Sequence, residues 1–226
     1  MQRTMSEKLF EEFCATKGIA CNRIPESDTR TPDYELLVEA ERFVVEVKEI
    51  TPNKEEQEAY RLLAEHRFGK APRHVPGERV RQKIADCSAQ IKARTQGKHP
   101  SLLVLFDMVG IVGHVDAYNI RVAMYGLEQV HIAVPPIGMG SPHATGMSYG
   151  SKQKMTPDHN TSISGIGRLF MTGPDQIFLE VYHNRFAQVP LKHSLLAGYG
   201  IEQFELEGDT LGTTSKWCKI DPTVEP

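Results

Sequence analysis

The sequence predicts an α/β protein built on a mixed central β-sheet flanked by helices. Three observations carry that expectation. Two segments repeat their apolar residues at helical spacing, several short runs rich in Val, Ile, Leu and Phe have strand character, and the two kinds interleave along the first half of the chain. At 226 residues the chain can enclose one substantial core, so a single domain over residues 1–226 is expected.

The first element is a helix from Ser6 to Lys17, in which Leu9, Phe10, Phe13 and Cys14 recur on one side, with Ser6 as N-cap and Gly18 as stop. "IACNRI" and "DYELLV" follow as strands, and "RFVVEVKEI" is the clearest strand of the chain. A polar, partly helical insertion around "NKEEQEAYRLLAEH" runs into the loop "RFGKAPRHVPG". "ERVRQKIADCSAQIKART" is the second strong helix, with Val80, Ile84, Cys87 and Ile91 as its apolar stripe and Arg79, Lys83 and Lys92 opposite. "SLLVLFDMV" is an apolar run of buried-strand type. Further on, "DAYNIRVAMYGL" suggests a helix, "QVHIAV" a strand, and "GRLFMTGPDQIFLEVYH" two strands joined at "TGPD". Residues 135–162, rich in Gly, Pro, Ser, Met and His and without periodicity, are expected to be a mobile loop long enough to fold over a substrate. There is no internal repeat.

Composition narrows the function. Cys14, Cys21, Cys87 and Cys218 are far apart with no C-x-x-C pair, which argues against a zinc ribbon or a disulfide framework and fits a reducing compartment. The N-terminal residues lack a signal-peptide apolar region and no apolar run has bilayer length, so a soluble, cytoplasmic protein without membrane attachment is expected. The net charge of −3 conceals segregation. Residues 1–60 hold 8 Lys and Arg against 14 Asp and Glu, whereas residues 61–98 hold 10 against 3. An acidic segment beside a basic one suits a cation site acting on a polyanion; a solvated helix face is the plainer account of the basic part.

Residues 31–48, "TPDYELLVEAERFVVEVK", hold the most informative pattern. With Glu39 and Ala40 as a two-residue turn, paired positions sum to 79 and Asp33 lies opposite Glu46, with Cβ atoms roughly 5 Å apart. Alternation then puts Tyr34, Leu36, Phe43, Val45 and Val47 on one face and Asp33, Glu35, Val44, Glu46 and Lys48 on the other. Two carboxylates so close repel unless a proton or cation intervenes. A hard divalent cation such as Mg2+ satisfies them while keeping waters, and Lys48 can reach a bound phosphate or water.

Pro32-Asp33 followed by Glu46-Val47-Lys48 resembles the PD-(D/E)xK motif of the restriction-endonuclease-like nuclease superfamily. The order helix, three strands, helix, strand over residues 6 to about 107 is similar to its α-β-β-β-α-β core, leaving residues 108–226 as a C-terminal extension. The resemblance implies that Asp33, Glu46 and the Val47 carbonyl hold Mg2+, with Mn2+ as a substitute. It further implies that Lys48 orients the attacking water or stabilises the phosphoryl charge. Glu7, eleven residues before Gly18, matches the upstream helical carboxylate of related nucleases, with Glu11 as the competing assignment. A polar residue of the second helix often faces such a site, and Arg79, Arg81, Gln82 and Lys83 are the candidates there and for phosphate contact. The implied activity is phosphodiester hydrolysis, in DNA before RNA, and a homodimer is compatible with it. The alternative is a catalytically silent nuclease-like fold that binds nucleic acid or protein.

Other motifs carry less. "GMSYG" at 146–150 satisfies G-x-S-x-G around Ser148 but lacks the strand-to-helix context of a nucleophile elbow. "GMGSPH" lacks the third glycine of a dinucleotide loop. His131, His143 and His159 have no ligand spacing and read as ordinary loop histidines, and Trp217 sits in a polar tail.

Overall fold

The computed structural model describes residues 3–25, 31–67, 70, 73–110, 113–173, 176–208 and 216–221. Helix α1 (Met5–Lys17) is capped by Thr4 rather than Ser6. The Thr4 hydroxyl accepts the Glu7 N–H at 3.2 Å while the Glu7 carboxylate accepts the Thr4 N–H at 2.6 Å, a reciprocal capping box that Ser6 cannot make. Gly18, at φ 68°, ends the helix in the left-handed conformation that glycine tolerates.

Strands β1 (Ala20–Arg23), β2 (Tyr34–Val38) and β3 (Glu41–Ile50) form an antiparallel meander. The β2–β3 register is the expected one, with Tyr34 opposite Val45 and Leu36 opposite Phe43. Glu39 and Ala40 have φ of 49° and 68°, the two positive values of a type I′ turn, so the strand twist imposes that turn on a sequence poorly suited to it. Helices α2 (Lys54–His66, capped by Asn53) and α3 (Glu78–Thr95) lead to β4 (Ser101–Asp107), which runs parallel to β3 with Glu46 beside Leu103 and Lys48 beside Leu105.

The second half adds more order than its composition suggests. Helix α4 (Ala117–Tyr125) precedes an antiparallel ribbon of β5 (Glu128–Ala133) and β6 (His143–Tyr149). Strands β7 (Gly165–Gly173) and β8 (Gln176–His183), helix α5 (His193–Ala197), and strands β9 (Glu202–Glu207) and β10 (Lys216–Lys219) follow. Pro174 and Asp175 of the expected "TGPD" turn lie outside the described residues. Among the described residues, the main sheet has eight strands in the order β1-β2-β3-β4-β7-β8-β9-β10, while β5 and β6 form a sheet of their own. It is mixed, because β3, β4 and β7 run parallel and the β1–β2, β2–β3, β7–β8 and β9–β10 pairs are antiparallel.

Apolar packing covers both sheet faces. On one, Leu9, Phe10 and Phe13 of α1 meet Tyr34, Phe43, Val45 and Val47, together with Leu195 and Leu196 of α5. On the other, the α3 stripe Val80, Ile84, Cys87 and Ile91 meets Leu103, Leu105 and Ile120. Two expectations change, and the reading of Ser148 as no nucleophile stands. Residues 135–162 are not a structureless loop: 143–149 form β6, and Met155 is wholly buried in the second core. Trp217 belongs to no polar tail, since its ring packs on Tyr182 and Tyr125 at 5.0 and 6.1 Å and its Nε1–H donates to the Ala117 carbonyl at 2.8 Å. Ser148 lies inside β6 with His131 Nε2 2.8 Å from its hydroxyl, so no strand-to-helix turn presents it as a nucleophile. Among the described residues, no helix is long and apolar enough to cross a membrane.

Candidate active site

The hairpin register determines what can meet at its open end. Asp33 immediately precedes β2, and its Oδ2 accepts the Val47 N–H at 2.8 Å, which fixes the carboxylate against β3. Lys48, two residues beyond Glu46 and on the same strand face, brings its Nζ to 3.8 Å from Asp33 Oδ2 and ion-pairs with Glu46 Oε1. Asp33, Glu46 and Lys48 are thus brought together as expected.

Glu46 is not on an open polar face, however. Helix α3 packs over that side of β3, and the Glu46 side chain has no exposed surface. Burial, then the neighbouring Asp33 charge, push its acid up to about 7, while Lys48 and the Gln90 amide of α3 oppose the rise. Neither Glu46 oxygen has a well-aligned hydrogen bond. Burial also raises Asp33, with Lys48 and the Val47 N–H holding it down and Glu7 adding to the rise. Burial pulls the Lys48 ammonium down, but Glu46 and Asp33 outweigh it and leave the group above its ordinary value.

Glu7 and Glu11 separate cleanly. Glu7, almost wholly buried, pairs with Arg23 of β1 at 3.0 Å and lies close enough for its charge to act on Asp33. Glu11 instead accepts the Tyr34 hydroxyl at 2.9 Å and pairs with Arg3 at 3.0 Å. Glu7 is therefore the helical carboxylate beside Asp33, and it is already engaged by the cap and by Arg23.

The α3 candidates do not gather at the site. Arg79 donates to the Thr51 carbonyl at 2.6 Å and pairs with Glu56 at 3.3 Å, tying α3 to the end of β3 and to α2. Arg81 is buried and donates to the Pro76 carbonyl at 3.0 Å, which ties it to the segment before α3. Gln82 is exposed and Lys83 half-buried. On α3, Gln90, which sequence reasoning passed over, lies near enough to Glu46 to help hold its acid down. Its signal was its place three residues after Cys87, at the border of the buried stripe, where a polar group faces the sheet.

Among the described residues, no three His, Cys, Asp or Glu side chains come together to hold a metal ion. A divalent cation with oxygen preference needs only one or two carboxylates and completes its shell with water. Asp33 and Glu46 fit that requirement, because a cation would stabilise the ionised Glu46 carboxylate that burial disfavours and that Lys48 only partly offsets. Compared with family models, curated proteins and solved structures, the chain matches none.

Proposed function

We propose that this chain is a metal-dependent phosphodiesterase acting on nucleic acid, DNA before RNA, with a restriction-endonuclease-like core. The observation that carries the reading is the wholly buried Glu46 carboxylate, held at the end of β3 beside Asp33 and Lys48. A strand carboxylate in that position is costly to ionise unless positive charge is delivered to it. Asp33, Glu46 and the Val47 carbonyl would hold Mg2+ or Mn2+, which when bound would supply an acidified water and a polarised phosphate.

The chain's own groups divide the remaining work. The Val47 N–H fixes one Asp33 oxygen and leaves the other free to coordinate. Lys48 balances Glu46 and Asp33, and with a cation held by these carboxylates its ammonium would be available to the phosphoryl oxygens, where negative charge would grow. Gln90 steadies Glu46 from α3. Glu7 and Arg23 form a neighbouring pair that tunes Asp33.

The silent binding module keeps one observation on its side, namely that Lys48 and Arg23 already neutralise the carboxylates. Cleavage of plasmid, single-stranded DNA and RNA, with and without Mg2+, separates the readings. Mg2+-dependent cleavage abolished by Asp33→Ala and Lys48→Ala in folded protein is the expected result. Binding without cleavage at any Mg2+ or Mn2+ concentration would leave the module.

A further inference from the structure

The β5–β6 ribbon stands apart from the eight-stranded sheet, and an isolated two-stranded ribbon has little stability of its own in water. Several of its large apolar side chains are nevertheless exposed. Val130 and Ile132 are more than half exposed, and toward the tip Val134 reaches 74%, Met139 77% and Ile137 106%. The tip is a built feature. The Pro136 carbonyl accepts the Met139 N–H at 2.9 Å, and Gly138 at φ 86° takes the position that a type II turn reserves for glycine. That turn holds Ile137 at its outer corner.

Charge identifies what such a tip meets. In a chain with 29 Asp and Glu, residues 129–157 contain none, while they carry Lys152, Lys154, His131 and His143. Glu128, at the foot of the ribbon, is neutralised by Arg121 at 3.0 Å. The ribbon therefore combines a stem whose one acid, Glu128, is neutralised by Arg121 with a narrow apolar point, a shape suited to a groove between phosphates. A two-stranded ribbon is narrow enough to enter a DNA groove, and Ile, Met and Pro are the residue types that unstack base steps as wedges.

We infer that the β5–β6 ribbon is a duplex-DNA-binding arm whose Pro136, Ile137 and Met139 tip wedges between base pairs and bends the duplex. The inference rests on the nucleic-acid reading above and adds the form of substrate, distorted double-stranded DNA. Lys152 and Lys154 at the foot supply phosphate contacts, and the tip supplies the kink.

Energy transfer across a short duplex labelled at both ends, in EDTA to prevent cleavage, tests the arm. Wild-type protein draws the ends together. Ile137→Ser with Met139→Ser binds with the same salt dependence and leaves the ends at the free-duplex separation. Lys152→Gln with Lys154→Gln keeps the bend and lowers the log-log salt slope by about two. An unchanged bend in the tip variant overturns the arm while leaving the nuclease reading intact, provided Mg2+-dependent cleavage persists. Absence of both binding and cleavage in the wild type overturns both. Tip-dependent association with phosphatidylserine vesicles, or a tip-dependent dimer by light scattering without DNA bending, would assign the ribbon to a different partner and overturn the arm.

Discussion

Replacing Glu46 with glutamine should make the metal-free protein more stable at alkaline pH, although it removes a residue assigned to the site. Burial and the Asp33 charge raise the Glu46 acid from 4.5 to about 7. Each tenfold in proton affinity is about 1.4 kcal/mol, so holding Glu46 ionised in the folded protein costs on the order of 3 kcal/mol. The sign follows from which state binds the proton more tightly. Folded Glu46 keeps its proton to higher pH than unfolded Glu46, so its contribution is full below pH 4.5 and is lost as pH rises through about 7. The glutamine amide mimics the protonated acid in shape and charge at every pH. In EDTA, thermal unfolding of Glu46→Gln and wild type should therefore coincide near pH 4, diverge between 4.5 and 7, and differ at pH 8 by roughly 10 °C for a chain of this size. Mg2+ should raise the wild-type transition at pH 8 and leave the variant unmoved, since the variant has lost an anionic ligand. A variant no more stable than wild type at pH 8 in EDTA would show that Glu46 carries its charge without penalty, and the argument for a cation would fail with it.

Three further outcomes are expected. Ala40→Gly should stabilise the hairpin by about 1 kcal/mol in urea unfolding, because Ala40 adopts φ 68° and glycine takes that conformation without steric cost; a loss of stability would mean that the alanine methyl packs usefully. Trimming residues 135–141 should leave the thermal transition unchanged, whereas Met155→Ala should cost about 2–5 kcal/mol because Met155 is wholly buried. Equal effects would contradict the placement of Met155 in the second core. Arg81→Met should reduce stability with little change in the salt slope of DNA binding, whereas Lys83→Gln should flatten that slope by about one if Lys83 contacts a phosphate; the reverse pattern would exchange their roles.

How much of this was legible varied from element to element. The β2–β3 register was, because Tyr34, Leu36, Phe43 and Val45 alternate cleanly and a shift by one residue would expose all four. The burial of Glu46 was not, because alternation assigns a residue to a face without saying that α3 will cover it. The N-cap was written in the sequence as Thr4 followed three residues later by Glu7, a signal that the nearby Ser6 obscures. Strand β6, "HATGMSY", has no buried residue, so no core imposes an apolar alternation on it. Trp217 owes its place to Tyr125 and Tyr182, 92 and 35 residues away along the chain, and local pattern carries no such information.

The β2–β3 hairpin also predicts an order of events during folding. Asp33, Glu46 and Lys48 lie within one short stretch, so a hairpin can gather them in microseconds, before any distant segment arrives. At that stage all three are hydrated, and Glu46 titrates as an ordinary carboxylate. Only when α3 docks and β4 pairs in parallel, steps that close much longer loops, does water leave Glu46. Near pH 6 the chain must then bind a proton as that late step completes. The proton taken up from solution, followed with an indicator dye during refolding, times the closure of the core over the site.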